Sequence, residues 1–108
     1  MQAITVSQAK ELYKNIGKID LNSAQVKEAI SSNKSKGPKV SEQQIAIAAK
    51  ISANCTEEEF VDFVTKGEFP SVKLTKDEME VLKGGVDPVS ACILIGMGCY
   101  FVGKLIFR

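Results

Sequence analysis

Apolar residues recur at every third or fourth position through most of the chain, a spacing that places them on one face of a helix. The pattern predicts an amphipathic helix between Thr5 and Gly17 and a shorter helix that runs up to residue 30. Residues 31–39 are polar and contain the pair Gly37-Pro38, so they predict a linker. The apolar period therefore indicates a mainly α-helical chain of short amphipathic helices joined by flexible linkers.

Three further helices are indicated by a shared start motif, the capping box with a hydrophobic staple. In a capping box, a serine or threonine accepts a hydrogen bond from the amide three residues later, and the glutamate or glutamine there bonds back. The three pairs are Ser41 with Gln44, Thr56 with Glu59, and Thr75 with Glu78. The first two predict a helix pair within residues 40–67, and the third predicts a short helix that begins after Leu74 and ends at Gly84.

The segment after Gly85 differs in composition from the segment before it. Residues 88–103 carry no charge, and the near-apolar run 89–107 is long enough, as a helix, to approach the bilayer's hydrocarbon thickness of about 30 Å, with Lys104 reaching the interface. Small residues on this helix would share one stripe, formed by Cys92, Gly96, Cys99 and Gly103. The stripe is either a surface for the close approach of two membrane helices or a chance result of a glycine-rich segment.

Two cysteines in this segment give a geometric conflict. Cys92 and Cys99 are seven residues apart, which on a continuous helix separates their Cα atoms by about 10 Å. A disulfide requires Cα atoms closer than about 7 Å, so a bridge and a continuous helix exclude each other here. Oxidising conditions outside the cell would favour the bridge, and Gly96 and Gly98 would let the loop close. Cys92 and Cys99 are therefore a candidate disulfide.

The composition argues against several classes of function. The chain has no histidine, and its side chains assemble no catalytic triad, so we expect that it is not an enzyme. Its cysteines, Cys55, Cys92 and Cys99, lack the CxxC spacing of a zinc site, so no metal or other cofactor is expected. The formal net charge is +1, and no basic patch with interleaved aromatic residues indicates nucleic-acid binding.

The two adjacent glycines at 84 and 85 suggest a protease substrate. Residues without a Cβ atom pass through a narrow cleft where any other side chain would collide, while the apolar residues of the preceding helix supply an anchor. Residues 1–7 lack the basic start and the apolar run of a secretory signal peptide. If the protein leaves the cell, it needs another export signal, and the double glycine would be one.

The stretch from Leu74 to Gly85 resembles the double-glycine leader of bacteriocin-type secretion precursors. That family has apolar residues twelve, seven and four positions back and an acidic residue eight positions back, counting Gly85 as one. The matching residues here are Leu74, Met79 and Leu82 at the apolar positions and Glu78 at the acidic position, followed by Gly84-Gly85. The resemblance implies that the cysteine peptidase domain of a peptidase-containing ABC transporter binds this stretch and cuts between Gly85 and Val86.

The same resemblance divides the chain into a leader, residues 1–85, and a cargo peptide, residues 86–108. The leader would comprise the N-terminal helices (1–30), the linker (31–39), the helix pair (40–67) and the recognition helix with its cleavage motif (74–85). The precursor would be cytoplasmic, and the processed cargo would be secreted as a bacteriocin-like antimicrobial peptide, with a membrane as its partner, or as a signalling peptide. Isolated helices need about 12 to 15 residues for stability, so the leader is expected to be partly disordered when free.

A second interpretation treats Gly84-Gly85 as an ordinary helix end and hinge. Residues 1–83 would then form a small cytosolic interaction domain, and residues 88–107 a permanent membrane helix, as in a tail-anchored membrane protein. Only the first interpretation releases a peptide, so the mass of the final product separates the two.

Overall fold

The computed structural model describes residues 3–31, 40–83 and 87–106. Within these ranges all regular secondary structure is helical. The elements are α1 (Val6–Asn15), a 3-10 turn (Ile16–Lys18), α2 (Ala24–Ser31), α3 (Glu42–Asn54), α4 (Glu57–Lys66), α5 (Lys76–Lys83) and α6 (Pro88–Ile106). The predicted mainly α-helical fold is confirmed. Of the predicted linker, Ser31 is the last residue of α2, and residues 32–39 lie outside the described residues.

Reciprocal capping boxes begin four of the helices. The predicted pairs at Ser41, Thr56 and Thr75 all form, and Thr5 makes a fourth with Gln8 at the start of α1. In each box the hydroxyl oxygen accepts from the amide three residues later, at 3.1 to 3.2 Å. Such a cap contributes about 1 kcal/mol. Local chemistry therefore sets where these short helices start.

Two helix ends show how the chain changes direction. Gly67 ends α4 in the left-handed conformation, with φ of 73°, and its N–H donates to the carbonyl of Asp62. The first helix was predicted to run to Gly17, but α1 ends at Asn15 and the chain continues as the 3-10 turn. This tighter turn keeps Ile16 buried and packs against α3.

Helix α6 is the centre of the bundle. All five other helices pack against it, with the most extensive contact to α4. Its buried hydrophobic side chains are those of Ala91, Cys92, Ile95, Cys99, Tyr100 and Val102. A helix that is apolar all round is covered either by lipid or by protein, and here the preceding helices bury part of its surface. The segments predicted as leader and cargo thus share one hydrophobic core.

Candidate functional site

The short helix α5 carries most of the leader-like motif identified in the sequence, and a reciprocal capping box forms its start. The Glu78 carboxylate accepts from the Thr75 amide at 2.9 Å, and the Glu78 amide donates to the Thr75 hydroxyl at 3.1 Å. The same carboxylate meets Lys50 of α3, whose Nζ lies 2.9 and 3.0 Å from the two oxygens. The hydrogen bond from the Thr75 amide, and after it that from Lys50, lowers the pKa of Glu78 below its ordinary value. Glu78 therefore caps its own helix and ties that helix to α3.

The three apolar residues of the motif face the bundle. Leu82 is 1% exposed and belongs to the core, while Leu74 and Met79 are partly buried and pack against it. Met79 and Leu82 are three residues apart and so share one face of α5. Met79 and Leu82 therefore lie on the inward side of α5, which contacts α3 and α6, and Leu74, two residues before this helix, also packs against the core.

Three residues that contribute to this site were not assigned to it from the sequence: Val81 of α5 and Gln44 and Lys50 of α3. Val81 packs against the core, and its carbonyl accepts a hydrogen bond from the Nε2 of Gln44 at 3.3 Å. Lys50 supplies the ion pair with Glu78. Lys50 and Glu78 are 28 residues apart in the sequence, and Gln44 and Val81 are 37 apart. Pairs at such separations leave no local sequence pattern, so they are recognised only in the folded structure. The apolar character of Val81, directly before Leu82, was the one available indication.

The predicted cleavage site at Gly84, Gly85 and Val86 lies outside the described residues. The described chain ends on one side at Lys83, the last residue of α5, and resumes at Asp87. Asp87 caps α6, because its carboxylate accepts from the Ser90 amide at 2.7 Å and from the Ser90 hydroxyl at 2.8 Å. In the sequence, the Gly85–Val86 bond therefore lies between α5 and α6, two helices that contact each other.

The small-residue stripe of α6 is used within the chain. Cys92 and Cys99 are fully buried, and Gly96 lies against Val64 of α4. Gly103, at the far end of the stripe, has open space where a Cβ would stand. In the structure a close approach occurs at Gly96, but the second helix is α4 of the same chain, so the predicted contact between two membrane helices stays a prediction.

The three cysteines are free thiols. Cys92 and Cys99 lie on the continuous helix α6, the arrangement that excludes a bridge between them. Burial raises the pKa of both thiols to about 12, so they are protonated and unreactive at neutral pH. The partly buried Cys55 packs against the core, and its carbonyl accepts a hydrogen bond from the Tyr13 hydroxyl at 3.0 Å. The candidate disulfide stays a prediction for the cargo after release.

Among the described residues, no group of three or more histidine, cysteine, aspartate or glutamate side chains is placed to hold a metal ion. Comparisons with known protein families, with characterised proteins and with solved structures find no match to this chain. Helix α5 carries partly and fully buried apolar side chains on a capped helix, and two glycines follow it directly in the sequence.

Proposed function

We propose that the chain is the precursor of a secreted peptide, with residues 1–85 as leader and residues 86–108 as cargo. The observation that carries the proposal is the position of α5. Its capped helix presents Met79 and Leu82 on one face and ends at Lys83, directly before the double glycine in the sequence. The apolar anchor and the glycine pair therefore stand in the order that a peptidase with a narrow cleft requires.

The partner in this proposal is the cysteine peptidase domain of a peptidase-containing ABC transporter. Leu74, Met79 and Leu82 fill apolar pockets on that domain, and Glu78 caps the docked helix. Gly84-Gly85 occupy the narrow cleft, where a Cβ atom would collide. Hydrolysis adds one water across the Gly85–Val86 bond, leaving a carboxylate on Gly85 and an amine on Val86. The transporter then exports the apolar, weakly cationic cargo, which acts as a bacteriocin-like or signalling peptide.

The proposal is tested by cleavage of the purified full-length chain with the peptidase domain from a producing cell. Gly85→Val should abolish cutting, because the valine side chain does not fit the cleft. Gly103→Ala is the matched control, since residue 103 has open space for a Cβ and lies away from the motif. Wild-type cleavage of Gly85→Val would contradict the proposal.

A second candidate function, a tail-anchored membrane protein, is favoured by one observation. The span Val89–Ile106 is long and apolar enough to cross a bilayer. However, 44% of that span is buried inside the bundle, and the core helix of a soluble protein is long and apolar in the same way. In this alternative, α6 leaves the other helices to insert in the membrane, Gly84-Gly85 act as a hinge, and the full-length mass persists in the membrane fraction.

A further inference from the structure

We propose that the folded precursor withholds its own cleavage motif, and that α5 must detach from α3 and α6 before the peptidase binds. This inference rests on the proposed function and concerns the regulation of the same site. The residues assigned to the peptidase pockets, two on α5 and Leu74 just before it, are packed in the bundle of the folded chain. Leu82 is 1% exposed, and Leu74 and Met79 pack against the core. A side chain cannot fill a pocket on the peptidase while it fills one in its own chain.

Polar contacts hold α5 in the same place. Lys50 pairs with Glu78 near the start of α5, and the Nε2 of Gln44 donates to the Val81 carbonyl near its end. The earlier residue of α3 meets the later residue of α5, so the two helices run antiparallel. The Glu78 carboxylate already caps α5 in the folded chain, and its ion pair with Lys50 adds to the contacts that hold α5 on α3.

Helix α5 is also a lightly anchored element of the bundle. It has eight residues, and Leu82 is its one fully buried side chain among those the structure describes. Helix α4, by contrast, buries Phe60, Val61, Phe63 and Val64. Elements with few buried contacts open locally while the rest of a protein stays folded. Detachment of α5 thus exposes the motif without removing α6 from α4.

This arrangement makes cleavage depend on the population of the detached form. Minor conformations populated at 0.1 to 10% lower the apparent affinity of a ligand about tenfold to a thousandfold. The folded chain should therefore be cut at least about tenfold more slowly, in kcat/KM, than a synthetic peptide of residues 70–92, which has the whole motif and none of α3.

The experiment compares that peptide with two variants of the full-length chain, using the purified peptidase domain. Lys50→Glu places a carboxylate against Glu78 and leaves residues 74–86 unchanged, so it should speed cleavage, by about two- to fivefold for an exposed ion pair. Lys27→Glu makes the same charge change on the exposed side of α2 and should cleave like wild type.

The outcomes separate the inference from the function on which it rests. Faster cleavage of the peptide, together with faster cleavage of Lys50→Glu than of Lys27→Glu, supports the inference. Equal rates for the peptide and the full-length chain, or for the two variants, overturn it while the precursor function stands. If neither the peptide nor the full-length chain is cut after Gly85, the proposed function itself fails.

Discussion

A Cβ atom placed on Gly96 would lie 2.5 Å from the Cβ of Val64, which is closer than real side chains approach. At this point α6 meets α4 with no room for a side chain on residue 96. The contact lies at the centre of the small-residue stripe and fixes the apolar helix within the bundle. The cargo of the proposed precursor is therefore held by the leader through direct helix packing.

The first prediction follows from this contact. Gly96→Ala should lower the free energy of unfolding by about 1 to 3 kcal/mol, because overpacking forces the two helices apart. Gly103→Ala on the same helix should instead leave stability unchanged or raise it by up to about 1 kcal/mol, since alanine favours the helix and space is open there. Urea unfolding followed by circular dichroism measures both. Equal stabilities of the two variants would contradict the α4–α6 packing.

The second prediction concerns the thiols of α6. In the folded chain, Cys92 and Cys99 should react with iodoacetamide much more slowly than Cys55, because both are fully buried and their pKa values are raised to about 12. The pKa of Cys55 is also raised, but this residue is partly exposed. In denaturing urea the three rates should converge. Mass spectrometry of the labelled peptides gives the rates, and rapid labelling of Cys99 in the native chain would contradict burial of α6.

The third prediction is a pH dependence from the capping boxes. The hydrogen bond from the Thr56 amide lowers the pKa of Glu59 below its ordinary value of 4.5. Because the folded pKa is the lower one, the stabilisation is complete above 4.5 and is lost as the pH falls through the lowered value. Glu59→Gln keeps a box like those of Gln8 and Gln44 but cannot titrate. Its urea midpoint should therefore fall less than that of wild type between pH 7 and pH 3.

If the urea midpoints of wild type and Glu59→Gln fall in parallel over this range, titration of Glu59 in the capping box is not the cause of the pH dependence. Thr56→Ala provides the complementary control. It deletes the hydroxyl acceptor and should cost about 1 kcal/mol at neutral pH, the usual effect of losing a cap.

The helix starts could be predicted from the sequence because capping is local chemistry. Thr75 and Glu78 are three residues apart, and the same side-chain atoms that suggest a box form it. The partners of the motif could not be predicted in this way. Lys50 and Gln44 of α3 contact α5 only because the chain folds back through α4 and its connections. No spacing in the sequence indicates these contacts.

The place of α6 shows a different limit of sequence reasoning. Its apolar composition indicates only that water is excluded, and a bilayer and a protein core satisfy that requirement equally. The sequence therefore suggested a membrane-seeking segment, whereas the structure surrounds Ile95 and Cys99 with the preceding helices. The decision between lipid and protein depends on the summed apolar faces of α1 to α5, which no single segment contains.

The most direct test of the precursor function is mass spectrometry on the culture medium and the membrane fraction of a producing cell. The account predicts the peptide of residues 86–108 outside the cell, lighter by two hydrogen atoms if Cys92 and Cys99 have joined after release. Detection of the full-length chain alone, held in the membrane fraction, would contradict it and make α6 a membrane anchor.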